Sequence, residues 1–176
     1  MSASSSLPRN GERTVLRQLE EQDLHHFQAY RTDPQVARYQ SWEQMTNEEA
    51  LSFIRSVRSS ELLGAGHWSQ IGIADRPSGL LIGDIGVFID REEQDAEIGF
   101  TLDRRYQRQG LGREAVSGAV EWIFHQTTVN RIFGITDERN IASIKLMEAL
   151  GMETVVKEET VFRGEPCTEI TFVLAR

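Results

Sequence analysis

The stretch Phe100-Thr101-Leu102-Asp103-Arg104-Arg105-Tyr106-Gln107-Arg108-Gln109-Gly110-Leu111-Gly112-Arg113-Glu114-Ala115 decides how the rest of the chain is read. A strand-like run ends, an arginine-rich loop follows, and two glycines open an apolar-striped helix. The first amides of a helix have no partner within it, and they sit at the positive end of the helix dipole. Glycine lets a bulky anion approach such backbone closely. The arrangement suits a phosphate, and Arg104, Arg105, Arg108 and Arg113 concentrate positive charge around it. A plain turn beside a solvated arginine face fits the same residues, so the loop alone leaves both readings open.

Upstream, Ala96 to Leu102 reads as a strand with Ala96, Ile98, Phe100 and Leu102 on one face. His67–Asp75 and Leu80–Asp90 read as an antiparallel hairpin around Arg76-Pro77-Ser78-Gly79. Earlier still, Val15 and Leu16 mark a short strand. Leu24, Phe27 and Tyr30 have helical spacing, and Asp33-Pro34 ends that helix. A second short helix is predicted from Pro34 to Tyr39. Thr46-Asn47-Glu48-Glu49 is a capping box ahead of the stripe Ala50, Leu51, Ile54 and Val57.

Downstream, Leu111–Gln126 is a long helix with Ala115, Ala119, Trp122 and Ile123 inward. Arg131–Asp137 is a strand, and Asn140–Leu150 is a helix stopped by Gly151. Thr154–Val161 and Thr168–Leu174 form a last strand pair joined through Arg163-Gly164-Glu165-Pro166. The order β-α-α-α-β-β-β-α-β-α-β-β predicts a mixed α/β (α+β) fold, a mixed sheet with helices on its faces.

The 176 residues carry 19 basic and 27 acidic side chains, a net charge of −8. That length suits one domain, expected over residues 11–176 behind a flexible tail at 1–10. An acidic balance argues against general nucleic-acid binding, which needs a basic face. No apolar run approaches the ~20 residues that span a bilayer, and no basic-then-apolar leader opens the chain. The expectation is a soluble cytoplasmic protein without membrane or nucleic-acid partners. The lone Cys167 excludes an internal disulfide and a multi-cysteine zinc site. His25, His26, His67 and His125 have no metal-ligand spacing, so no metal is expected. No nucleophile elbow is present. Trp42, Trp68, Trp122 and Cys167 are expected to serve packing.

Gly110-Leu111-Gly112-Arg113-Glu114-Ala115 also matches the dinucleotide pattern G-x-G-x-x-A. Three features oppose a nicotinamide-dinucleotide site. Asp103 to Gln109 separate the glycines from the strand they should follow at once. The acid that should come ~20 residues later is too late at Asp137. Antiparallel hairpins in front leave no room for a doubly wound sheet. No P-loop lysine follows either.

Gln107-x-x-Gly110-x-Gly112 resembles the acyl-CoA pyrophosphate loop of the GNAT superfamily of N-acetyltransferases. Asn140-Ile141-Ala142-Ser143-Ile144-Lys145-Leu146-Met147-Glu148-Ala149-Leu150-Gly151-Met152 is similar to the second signature of its ribosomal-protein serine/alanine (RimJ/RimL-like) branch. Asp33–Tyr39 and Ala96–Phe100 fit that branch as well. The resemblance covers nearly the whole chain after the tail.

It implies a twisted, mostly antiparallel sheet of about seven strands, splayed between the fourth and fifth, with acetyl-CoA as co-substrate in the gap. Phe100, Thr101 and Leu102 would present backbone groups to the cofactor arm. Gln107, Arg108, Gln109, Gly110, Leu111, Gly112 and Arg113 would hold the pyrophosphate through backbone N–H groups. Asn140 would cap its helix and reach the arm, although capping alone accounts for an asparagine there. Ser143 would protonate the leaving thiolate, or be an ordinary first-turn hydroxyl. Lys145 reads as a solvated helix lysine.

The implied reaction is direct attack of a neutral primary amine on the thioester. An α-amine with pKa about 7.8 needs less help than a lysine amine near 10.4. Glu97 is the leading candidate base, with Asp137 and Glu138 behind it; a strand-edge ion pair is the plain alternative for Glu97. Arg31–Glu43 and Phe162–Pro166 are expected to frame the acceptor. A homodimer is compatible with this reading. A non-catalytic acyl-CoA sensor on the same fold is the alternative function.

Overall fold

The computed structural model describes residues 6–176; the first five residues of the expected tail lie outside them. The strands are β1 (Arg9–Asn10), β2 (Thr14–Arg17), β3 (Trp68–Asp75), β4 (Leu81–Ile89), β5 (Asp95–Leu102), β6 (Arg131–Asp137), β7 (Glu153–Phe162) and β8 (Glu165–Ala175). The helices are α1 (Leu24–Arg31), α2 (Pro34–Ala37), α3 (Asn47–Ser59), α4 (Leu111–Gln126) and α5 (Ile141–Ala149). They build one sheet in the order β1-β2-β3-β4-β5-β6-β8-β7. The strand beyond the expected seven is β1, where Arg9 and Asn10, placed in the tail on sequence, pair with Leu16 and Val15.

Every neighbouring pair is antiparallel except β5 and β6. A parallel pair needs a long crossover, and α4 supplies it. Pairing of β5 with β6 stops at Glu97 opposite Phe133. Beyond that rung the strands part, so the splay expected between the fourth and fifth strands falls between β5 and β6, with β1 shifting the count.

The sheet carries helices on both faces. On one face, Ile85, Val87, Ile89, Ala96 and Ile98 meet Ala115, Ala119, Trp122 and Ile123 of α4 in one buried cluster. On the other, Leu81 packs with Phe27 and Tyr30 of α1 and Ala50 and Ile54 of α3. Each large apolar side chain so buried contributes about 1.5–3 kcal/mol. The Thr46 capping box starts α3 as predicted, with the Glu49 N–H donating to Oγ1 of Thr46 at 3.2 Å and the Thr46 N–H to Glu49 at 2.8 Å.

Buried Asp84 anchors α1 to the sheet. It accepts from the Tyr30 hydroxyl and from Gln70 Nε2, and it pairs with Arg31 at 3.3 Å. The Arg31 guanidinium lies between the Phe27 and Trp42 rings, 4.3 and 4.2 Å from their centroids. That sandwich fixes the segment that follows α1.

The last hairpin is tighter than predicted. Arg163 and Gly164 both have positive φ, 51° and 81°, the backbone of a two-residue turn that matches strand twist. Glu165 and Pro166 therefore begin β8 instead of belonging to the loop. Pro166 faces Val161 one rung from the turn, where its missing N–H would point away from β7.

Candidate active site

A cleft of 620 Å³ opens where β5 and β6 part. It is floored by Phe100, Thr101 and Leu102, and its mouth holds Gln107, Arg108, Gly110, Gly112 and Arg113 at the start of α4. Asn140 and Ser143 line the α5 side. Three expected site residues lie elsewhere. Leu111 is 5% exposed and belongs to the core, so only its amide could serve a ligand. The Gln109 carbonyl accepts from Arg13 at 2.8 Å while its amide group donates to the Arg105 carbonyl. Glu97 sits at the last paired rung below the cleft.

Antiparallel register decides which backbone groups face the gap. The Asp103 N–H donates to the Ile82 carbonyl at 2.7 Å. Main-chain groups alternate sides along a strand, so Thr101, Gly99 and Glu97 bond toward β4. Ile98, Phe100 and Leu102 turn theirs to the gap. The expectation for Phe100 and Leu102 fits this alternation; the Thr101 main chain is directed to β4, and Thr101 instead lends the cleft a buried side chain. Two gap carbonyls are met by glutamine amides: Gln107 Nε2 donates to Leu102 at 2.8 Å, and Gln40 Nε2 to Phe100 at 3.3 Å.

The start of α4 leaves its first amides without a side-chain cap. Gly110 is its N-cap, at φ 80°. Glu114 of the first turn faces β2 instead, accepting from the Arg13 and Thr14 amides and the Thr14 hydroxyl. Arg108 is also left-handed, at φ 59°. The arginines divide. Arg104 pairs with Asp33 at 3.2 Å and Arg105 with Asp103 at 2.6 Å; Arg104, Arg108 and Arg113 line the cleft, and Arg105 does not.

On the α5 side, Asn140 is an N-cap, its Oδ1 accepting from the Ser143 N–H at 3.3 Å. Its capping role is thus realised in a residue that also faces the cleft. Lys145, read as solvated, is exposed and yet lines the cleft, as do Tyr39, Gln35, Gln40 and Arg139. Gln35, Tyr39 and Gln40 come from the Arg31–Glu43 segment, whereas no sequence motif flagged Arg139, which reaches the cleft from the far side.

The carboxylates separate clearly. Burial, with the charge of Glu169 added, raises the pKa of Glu97. Asp137 is held below its usual range by the hydrogen bonds of Arg139. Glu138 is held low by Lys157 and Thr168. Of the three, Glu97 alone is shifted toward neutrality, as a general base requires. Cys167, expected in the core, is half-buried on β8, and burial followed by Asp137 and Glu169 pushes its thiol up. That opposes a reactive thiolate.

Of the tryptophans, Trp122 is buried as expected, whereas Trp68 is 49% exposed. The two segments expected to frame the acceptor touch: Arg163 donates to the Gln40 and Trp42 carbonyls, both at 2.9 Å. Among the described residues, no group of three metal-ligating side chains is brought together, and no helix is long and apolar enough to cross a membrane.

Comparison with known proteins agrees with this fold. The chain is similar to the uncharacterised N-acetyltransferase p20 of Bacillus licheniformis, 30% identical over 144 residues, 81% of this chain and 80% of that protein. Its fold is shared with a GNAT-family acetyltransferase from Bacillus anthracis at a TM-score of 0.85 and 20% identity, covering 96% and 98% of the two chains. It is shared too with RimL, a ribosomal-protein alpha-N acetyltransferase solved with coenzyme A, at a TM-score of 0.80 and 14% identity, covering 94% and 95%. Residues 13–153 match the acetyltransferase (GNAT) domain family, and the chain belongs to that family.

Proposed function

We propose that this acetyltransferase takes its acetyl group from acetyl-CoA and passes it to a primary amine by direct attack on the thioester. One observation carries the reading: the uncapped, glycine-opened start of α4 stands at the mouth of a cleft whose floor exposes the main chain of Phe100 and Leu102. A diphosphate gains most from such amides, here those that follow Gly110, with Arg108 and Arg113 beside them. An extended amide-bearing arm can pair with the gap edge of β5 as a strand would. Its amides would then replace the side-chain amides of Gln40 and Gln107 on the two carbonyls.

The amine must be neutral to attack. Glu97, one residue from the gap-facing Ile98, would accept the ammonium proton directly or through water. Ser143 would donate to the departing thiolate from the first turn of α5. Gap-facing N–H groups of β5 would meet the developing oxyanion. The RimJ/RimL-like signature and the kinship in fold with RimL favour an α-amine, which needs the weaker base.

The test is thiol release from acetyl-CoA across a panel of peptide α-amines and small amines. Amine-dependent release at rates well above hydrolysis is expected. Tight acetyl-CoA binding without release for any amine would replace the enzyme reading with the acyl-CoA sensor.

A further inference from the structure

Trp68 is a large aromatic side chain on the second face of the sheet, yet it stays half exposed. Its ring leans over β4: Cε3 and Cζ3 stand 3.3 Å from where a Cβ on Gly86 would be. Phe88 steadies it, with centroids 5.6 Å apart. Register sets Gly86 beside Gly99 and Phe88 beside Glu97. Gly99 lies within a central strand, is exposed, and has nothing within 4 Å of a would-be Cβ. Thr101, two residues on and on the same face, lines the cleft.

One path therefore runs from the cleft across Gly99 to the edge of the Trp68 ring. Beyond the ring lies a hollow of 440 Å³ with Phe53 and Val57 as apolar walls and Glu61 and His67 at its rim. From β5 to β3 is two strand spacings, about 10 Å. Gly99 carries no side chain to block that passage, and nothing else stands within 4 Å of its would-be Cβ.

The geometry points to an acceptor-tail subsite: a primary amine carried on a slender, unbranched chain crosses Gly99, lies along Trp68, and buries an apolar or aromatic end between Phe53, Val57 and Trp68. This deepens the acyl-transfer reading and rests on it. Glu97 complements the ammonium end of such an acceptor, the bare Gly99 leaves its chain a path, and the Trp68 ring that covers Gly86 gives the chain a flat face to lie along. An indole face half open to water gains apolar contact when the chain covers it.

The probe pair is ethylamine, which stops at Gly99, and 4-phenylbutylamine, which is long enough to reach the hollow. Thiol release from acetyl-CoA gives kcat/KM for each, and calorimetry in the presence of CoA gives their binding. We expect 4-phenylbutylamine to lead by about tenfold or more. Trp68→Ala and Gly99→Val should bring the ratio of the two amines to about one, with melting and acetyl-CoA affinity reporting that the variants are folded. Equal use of both amines, a tenfold ratio retained in both variants, or preference for 1,5-diaminopentane over 4-phenylbutylamine overturns the subsite. Release by no amine would defeat the acyl-transfer reading instead. Calorimetry then decides the subsite: binding of 4-phenylbutylamine that Trp68→Ala abolishes supports it, and absence of binding overturns it.

Discussion

The two ends of the cleft are made of different material. At the α4 end the groups proposed to face the ligand are main-chain amides, and side chains serve to hold that main chain in shape. Gln107 ties the loop to β5, Arg105 is tied to Asp103, and Glu114 ties the first helical turn to β2. At the acceptor end the order is reversed. In the proposed reading Gln40, Glu97 and Trp68 act through their side chains on ordinary strand or loop backbone, and Arg163 does so from a left-handed turn position. A site made of amides tolerates most side-chain changes and fails where a Cβ or a left-handed φ is at stake. A site made of side chains fails residue by residue.

The largest effect should come from the acceptor end. Glu97→Gln is expected to lower kcat with an amine acceptor by about 10²-fold or more, leaving acetyl-CoA affinity in place. Wild-type rate should climb with pH as Glu97 loses its proton and again as the amine does; the variant should keep only the second rise. Stability moves the other way. A carboxyl whose folded pKa is raised gains stability as pH falls below that pKa and costs stability above it. Glu97→Gln should therefore melt no lower than the wild type at pH 7, and a clear drop in Tm there would return Glu97 to a structural ion pair.

At the other end, Gly110→Val should weaken acetyl-CoA binding by about tenfold or more, because φ 80° is strained for a β-branched residue. Its Cβ would also stand 3.1 Å from Arg13 Nη2. Arg113→Ala, which removes only a side chain, should cost about threefold and less at high salt. Equal losses in the two variants would show that charge, not backbone, makes this end. Ser143→Ala comes next. A proton donor to the thiolate should cost about tenfold in kcat with affinity for acetyl-CoA unchanged, and an unaltered rate leaves Ser143 a first-turn hydroxyl.

The same division explains what could be read from sequence. Helix α4 and its glycines, the Thr46 box and the Asn140 cap follow local rules, and the structure places them within a residue of the reading. Whether Thr101 faces the gap depends on register with β4, which no local pattern encodes. Gln40 reaches Phe100 across 60 positions and Arg163 reaches Trp42 across 121; only the folded sheet brings them together. Trp68 was read as packing because aromatic residues in strands usually are. Its ring packs down on Gly86, and Gly99 beside Gly86 puts no side chain against its flank; the two glycines are adjacent only across β4 and β5. The start of β8 was missed because Arg163, a residue with no special turn preference, adopts positive φ.

The smallest effect is the most discriminating. Gln40 belongs to the acceptor segment, yet its amide rests on the Phe100 carbonyl at 3.3 Å, long for a hydrogen bond of this kind. If it is a stand-in for the cofactor arm, Gln40→Ala frees that carbonyl, and acetyl-CoA should bind about twofold to threefold tighter, since a typical net hydrogen bond is worth about 1 kcal/mol or less. Arg163→Ala, which loosens the same segment through the Gln40 and Trp42 carbonyls, should move the affinity in the same direction. Equilibrium titration of acetyl-CoA against both variants measures it. Weaker binding in Gln40→Ala would make Gln40 a cofactor ligand in its own right, and the boundary between a backbone end and a side-chain end would then have to be drawn beyond Phe100, toward the open floor at Gly99.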